Sequence, residues 1–384
     1  MSKNKISRDV ALFPNEPSVF QGKDVDKILL HTTPLGTSDV TIQTNCPIIA
    51  EIYGRLVPIT RHKLNYNEVI EMLNFITKSD GAFSHIMQSK AWDIAHEVKP
   101  DRNTRLRFRV NATGIQTEGQ TGIQITLRTI PSMPPSLDTM ELPNQILDNR
   151  APKQGMVLVT GATGSGKSTL LASIIRDLLE DPESNRKILT YEQPIEFVYD
   201  DVIAPAASIA QTQIPDMLPD FTEALRNALR RKPAVILVGE MRDRETIAEG
   251  ITASMTGHLL YSTVHTNGVA DTVRRMINAF TKEEQHSRGV DIVSSLRMIV
   301  SQMLLPSTDG KRVALREYLV MNDDIAQEMM ENIDNLASIT RRLLKVHGRT
   351  FLDDAKDKFA ENRIDEKQFN YIKALSQGMD RDLM

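Results

Sequence analysis

Residues 161–168 read Gly161-Ala162-Thr163-Gly164-Ser165-Gly166-Lys167-Ser168, with Thr169 next. This is a complete GxxxxGK[ST] pattern, and each fixed position has a physical task. The glycines let backbone N–H groups turn inward and cradle phosphate oxygens. Lys167 reaches the β- and γ-phosphates, and the Ser168 hydroxyl is placed to ligate Mg²⁺. The helix that follows aims the positive end of its dipole at the anion. The run from Gly161 to Thr169 is therefore read as a phosphate-binding loop that takes its ligand together with Mg²⁺.

The flanks agree. Residues 155–160 (Gly-Met-Val-Leu-Val-Thr) form the short apolar run of a buried strand. Apolar pairs at Leu170/Leu171, Ile174/Ile175 and Leu178/Leu179 follow a helical period, and Asp181-Pro182 ends it. By chance alone the four fixed positions match in roughly one chain in a hundred of this length. Strand, glycine loop and helix in order disfavour the bland alternative, a flexible surface loop.

The 384 residues suggest two or three domains. Hydrophobic content of 40% beside 25% charged residues supports a substantial core. The net charge of −4 and the 5% aromatic content argue against a chain that coats nucleic acid, so no nucleic-acid binding is expected. Cys46 is the only cysteine, which excludes an intrachain disulfide and fits a reducing compartment. The basic N-terminus is followed by no apolar h-region, and no run reaches the roughly 18 apolar residues of a membrane helix. Work at a membrane would then depend on recruitment by partners.

Pro131, Pro134, Pro135, Pro143 and Pro152 mark the sharpest compositional break. It reads as an interdomain linker, the alternative being a long ordered loop. Four parts are expected: an α+β domain over 1–130, a linker over 131–145, a phosphate-loop domain over 146–323, and a helical region over 324–384. In the first, runs around 40–42 and 48–53 read as strands with a turn at Gly54-Arg55, and 66–88 as helix. Residues 105–111 and 122–130 alternate with period two and suggest a hairpin. Beyond the break, strands at 155–160, 187–191, 234–238 and 258–263 alternate with helices, the rhythm of a mostly parallel sheet.

Carboxylates follow two of those strands. Glu240 stands after Ala-Val-Ile-Leu-Val-Gly (234–239), at the strand end that faces the ligand crevice in open α/β sheets. There it could hold Mg²⁺ through water or take a proton from the attacking water. Glu192 and Glu196 follow the strand before them, in Thr190-Tyr-Glu-Gln-Pro-Ile-Glu196. They could manage metal and water, or lie on a solvated turn around Pro194. Arg105, Arg107, Arg109 and Arg128 lie on the proposed hairpin, either as a solvated basic face or as arginine fingers. His258 and His265 flank the last strand, with no companions spaced for zinc.

These segments in this order resemble the secretion-superfamily ATPases of type II, type IV pilus and type IV secretion systems. The likeness rests on the phosphate loop, Thr190 to Phe197, Ala234 to Glu240 with Met-Arg-Asp-Arg-Glu-Thr-Ile beyond, and Thr256 to Thr266. In the first part it rests on Thr37 to Ile42, Gly54 to Leu56, Arg107 to Asn111 and Leu127 to Pro131. Within the superfamily the chain is most similar to the DotB group of Dot/Icm (type IVB) secretion and related conjugative plasmids, and also resembles PilT-type retraction motors.

The resemblance implies a RecA-like α/β ATPase domain preceded by a small α+β, PAS-like domain, assembled as a homo-hexamer. It implies a cytoplasmic enzyme recruited peripherally to the inner membrane by secretion-system components. It carries over Lys167 and Ser168 to nucleotide and Mg²⁺, Glu240 to the catalytic carboxylate, His265 to the His box, and Arg109 and Arg128 to the phosphates. Glu192 is assigned to metal and Glu196 to catalysis, because Gln193 stands where many relatives carry an aspartate. The C-terminal helices lack the Ala-Ile-Arg-Asn-Leu-Ile-Arg-Glu signature of retraction motors, which favours secretion or conjugation. A pilus motor and a nucleotide-gated scaffold ring are the alternatives.

Overall fold

The computed structural model describes residues 11–53, 55–101, 104–130 and 133–381. Gly54 of the expected turn, Pro131 of the linker and the N-terminal nine residues read for a signal lie outside the described residues. The chain divides into two compact units, 1–133 with the short segment 196–198, and 134–195 with 199–384.

The first unit is α+β. Helix α1 (Asp24–Thr32) leads into β1 (Thr37–Gln43), β2 (Ile49–Ile52) and β3 (Arg55–Pro58). Helices α2 (Tyr66–Thr77) and α3 (Ala82–Met87) follow, then β4 (Trp92–Val98), β5 (Leu106–Thr117) and β6 (Gln120–Ile130). The sheet order is β3-β2-β1-β6-β5-β4. The single helix expected over 66–88 is two, because Lys78 takes a left-handed conformation (φ 54°) that closes α2. At its other end Asn65 accepts from Glu68 N, and Glu68 accepts from Asn65 N, so two otherwise unpaired donors are satisfied.

The hairpin is longer than the sequence suggests. Glu118 and Gly119 both have positive φ (48° and 77°), the two-residue turn whose twist matches the strands. Arg105 stands just before β5 rather than in it. Strand β4 escaped the sequence reading.

The second unit opens with a 3-10 turn (Leu137–Met140) and α4 (Asn144–Asn149), then β7 (Gly155–Thr160) and α5 (Lys167–Glu180). Next come β8 (Lys187–Glu192), β9 (Ser208–Gln213), α6 (Phe221–Ala228), β10 (Val235–Val238), α7 (Arg244–Met255) and β11 (Leu259–Val264). Helices α8 (Val269–Asn278) and α9 (Lys282–Ser295) precede β12 (Leu296–Pro306) and β13 (Arg312–Val320). Helices α10 (Asp323–Glu331), α11 (Leu336–His347), α12 (Phe351–Ala360) and α13 (Glu366–Arg381) close the chain.

The seven strands run β13-β12-β7-β11-β10-β8-β9. All neighbours are parallel except β12 and β13. Strands β7, β10 and β11 are buried at every residue, which is why they read as unbroken apolar runs. Beneath the sheet, Leu158, Ile236, Leu260 and Ile299 share one core with Ile325, Met329, Leu336, Leu343 and Leu344 of α10 and α11. The final helices pack differently: Phe351, Ala355, Ile364 and Ile372 cluster with Leu305, Val313 and Leu315 at the far end of β12–β13.

Candidate active site

Strand register decides what meets the phosphate loop. Thr160, the last residue of β7, is level with Val264 of β11 and Ser301 of β12. Val238 of β10 is level with Ser262. Gly161, His265 and Glu240, just past their strands, and Gln302, one residue beyond this level within β12, therefore lie along one edge. In a parallel sheet that edge is the C-terminal one, where ligands bind.

The loop has the backbone its glycines foretold. Gly161, Gly164 and Gly166 have φ of 142°, 78° and 84°. Two of them are also required by close approach. A Cβ on Gly161 would lie 2.2 Å from the Gln302 carbonyl oxygen, and one on Gly166 would lie 2.8 Å from Gln302 Nε2. Ala162, Thr163 and Gly164 face solvent, while Ser165 is buried. Lys167 begins α5, with Ser168 and Thr169 in its first turn. The Lys167 ammonium donates to Gly161 O at 3.0 Å and Ala162 O at 2.9 Å, bridging its own loop.

Glu240 is held by backbone on both sides. Gly239 N donates to Tyr191 O, Met241 N to Thr263 O, and the Thr263 hydroxyl to Gly239 O. The residue is only 8% exposed, and its Oε2 has no hydrogen bond among the described residues. The other oxygen pairs with Arg242. His265 Nε2 lies 3.6 Å from Oε2. Partial burial, and then the positive charge of Lys167, pull the His265 pKa below its ordinary value, so the ring is neutral at pH 7. His258 is different: its Nδ1 faces Ala253 O at 3.1 Å, at the C-terminal end of α7.

Glu192 ends β8, three strands from β7 and so about 14 Å away in the sheet plane, against about 10 Å for β10. Its Oε1 accepts from the Thr190 hydroxyl at 2.7 Å and Gln211 Nε2 at 3.3 Å. Glu240 is the nearer carboxylate to the loop. Glu196 is exposed and falls in the short segment grouped with the first unit.

In the first unit, Arg109 and Arg128 are directly opposite on β5 and β6. Arg109 grips Asp93 with two donors, Nε at 3.2 Å and Nη2 at 2.9 Å. Arg128 Nε donates to Asp39 Oδ1 at 2.8 Å. Arg107 is held beside Glu97, 3.8 Å away.

The donor chemistry fits Mg²⁺. Among the described residues no three His, Cys, Asp or Glu side chains are grouped to cage a metal. Mg²⁺ instead takes one or two protein oxygens and completes its shell with phosphates and water. A loop hydroxyl at Ser168 and a buried carboxylate oxygen with no hydrogen bond at Glu240 are of that kind. Arg242 and Gln302 were missed by sequence reasoning. Arg242 stood in view two residues after Glu240, whereas Gln302 gave no signal.

The comparisons agree with the motifs. The family model described as "Type II/IV secretion system protein" matches residues 80–311. The twitching motility protein of Neisseria gonorrhoeae is 37% identical over 307 residues, covering 79% of this chain and 78% of its own length. The X-ray structure of the Legionella pneumophila ATPase DotB superposes with a TM-score of 0.88 at 47% identity, covering 94% of this chain and 98% of that one. The crystal structure of the pilus retraction motor PilT with bound ADP gives a TM-score of 0.78 at 28% identity, covering 91% and 96%. No helix among the described residues is long and apolar enough to cross a membrane. With the family model spanning more than half of the sequence, the chain belongs to the type II/IV secretion system protein family.

Proposed function

We propose that this ATP hydrolase works as a Mg²⁺-dependent homo-hexamer that powers a type IVB secretion or conjugation apparatus, recruited to the inner membrane by its partners. The observation that carries the chemistry is Glu240: a buried carboxylate with one oxygen free of hydrogen bonds, on the sheet edge that carries the phosphate loop. The likeness to DotB supports the secretion assignment.

Glu240 accepts a proton from, or orients, the attacking water, a task that contributes about 10²–10⁴-fold. Lys167 exchanges its two loop carbonyls for phosphate oxygens. Bound Mg²⁺ would neutralise phosphate charge, held by Ser168, with Glu240 and Glu192 reaching it through water. Glu196 is kept as a lesser candidate in the same chemistry.

Arg109 and Arg128 are proposed as the charge donors to the transferred phosphoryl group. Arg109 leaves the exposed Asp93, at a cost of about 0–1 kcal/mol, whereas Asp39 beside Arg128 is more enclosed. An arginine finger contributes about 10³–10⁵ in rate, or roughly 4–7 kcal/mol. The exchange is therefore favourable by magnitude.

The test is Glu240→Gln. The variant is expected to bind ATP as tightly as the parent and to turn it over at least about 100-fold more slowly. Unchanged turnover would remove Glu240 from this role. A pilus motor is the second reading, favoured by the similarity to the gonococcal twitching motility protein. Recovery of a pilus inner-membrane platform protein with the tagged chain, instead of secretion components, would select it.

A further inference from the structure

Gln302 occupies a position that neither the motifs nor the proposed chemistry uses. It is 4% exposed, one residue past the level of Thr160 on β12, and it lies against the back of the phosphate loop. Its Nε2 donates to Ser165 O at 2.8 Å, and its Oε1 accepts from Arg316 Nε at 2.9 Å. A carbonyl on one side and a guanidinium on the other fix which end of the amide is which.

The bond to Ser165 has a directional consequence. Across a planar trans peptide, the C=O of Ser165 and the N–H of Gly166 point in opposite directions. Pinning that carbonyl toward Gln302 aims the Gly166 N–H away from Gln302, toward the opposite face of the loop. Gln302 thus sets the orientation of one of the loop's phosphate-facing donors.

Arg316 extends the connection. It is 5% exposed, so its charge is tolerated only with its donors paired. Nη1 donates to Glu141 O at 3.2 Å and Nη2 to Met140 O at 2.9 Å, at the end of the 3-10 turn that opens the second unit. Its own N–H donates to Asp354 Oδ2 at 2.9 Å on α12. Glu141 is held in addition by an ion pair with Arg363. A second tie to this segment exists: Arg176 Nη1 donates to Pro134 O at 2.7 Å. But Arg176 sits nine residues into α5, about 13 Å along its axis from Lys167. Gln302 and Arg316, by contrast, run from the loop peptide itself to carbonyls 140 and 141.

We propose that Gln302 and Arg316 are a pair of positioning residues that report occupancy of the phosphate loop to residues 137–141, the segment by which the chain enters the second unit. The connection is stiff because it is buried. If the loop moves Ser165 and the amide follows, Arg316 must keep its carbonyls or leave buried donors unpaired, which is costly. This rests on the nucleotide reading of the loop and deepens it, by naming what senses the bound phosphate.

The experiment measures ADP affinity and amide hydrogen exchange on the same full-length samples, with and without saturating ADP. In the parent, ADP is expected to change exchange of the peptide covering 137–142 by at least about threefold. Gln302→Glu keeps the acceptor for Arg316 but replaces the donor to Ser165 with a carboxylate oxygen. It is expected to bind ADP more weakly, to shift KM more than kcat, and to lose the response at 137–142. Arg316→Lys keeps the charge without the fork, and is expected to bind ADP while losing the response. Exchange in α6 and α7 without nucleotide serves as the folding control. Parent protein that binds ADP with no change at 137–142, or folded variants that keep the full response, would overturn the relay. Parent protein that binds no ADP would overturn the nucleotide reading itself, and the relay with it.

Discussion

Glu317 provides a stability test whose size follows from its surroundings. The side chain is buried on β13, where it accepts the N–H of Val269 at the start of α8 at 2.8 Å. Burial dominates, and it pushes the carboxyl from its ordinary 4.5 up to about 7, against the backbone donors that favour the charge. The native state thus holds a proton that the unfolded chain releases at lower pH. The stability this proton contributes is fully present below pH 4.5 and is lost as pH rises through about 7. Between pH 5 and pH 8 the loss is about 2–3 kcal/mol, with a slope no steeper than about 1.4 kcal/mol per unit. Glu317→Gln keeps an acceptor for Val269 and cannot titrate. Any constant cost of its extra N–H cancels in the slope. Urea unfolding followed by far-UV circular dichroism, at one protein concentration across pH 5–8, should show the parent losing about 2–3 kcal/mol relative to the variant. Parallel stability curves would refute the argument.

The remaining predictions concern the loop and the arginines. Gly161→Ala would press a Cβ to 2.2 Å from the Gln302 carbonyl oxygen and 2.6 Å from Ser165 Oγ at φ 142°, and the nearer wall is backbone. Calorimetry with ADP should find no binding, while overall helix content is preserved; retained affinity would mean the loop can yield. Arg109→Ala and Arg128→Ala should each leave ATP binding within a few-fold of the parent, while at least one lowers kcat by about 10³ or more. If both turn over normally, the finger role is wrong. Turnover per chain should rise steeply and then saturate as protein concentration increases, if neighbours complete the sites. A flat profile accompanied by a monomer in sedimentation would count against the ring.

The phosphate loop and the four central strands were legible because their signal is local. Six consecutive buried residues in β7 can be read without knowing any neighbour. The other strands of the second unit carry no such signal. In β12, Met298 to Gln302 are all buried, so period two vanishes, and the run resembles a core helix as much as a strand. Strand β9, Ser-Ile-Ala-Gln-Thr-Gln, is an edge strand and mostly polar. Of the site, Glu240 could be singled out because it follows an apolar run, whereas His265 stood out through the family resemblance. Gln302 could not, since its meaning depends on β12 pairing beside β7, 140 residues earlier in the chain. Arg105 and the single long helix over 66–88 show the usual limit at element ends, where one left-handed residue such as Lys78 decides a boundary.

That pairing of distant strands has a consequence for how the protein is made. β7 is complete at Thr160, yet its two flanking strands end at Val264 and Pro306. A ribosome adding roughly 5–20 residues per second needs about 7–30 s to supply the later one. Until Val264 is made β7 has no partner on either side, from then until β12 arrives it has one, and throughout the loop that follows it lacks the Gln302 wall that shapes it. Nucleotide cannot stabilise the chain until β12 has arrived, so early synthesis of this unit depends on whatever shields β7 in the meantime.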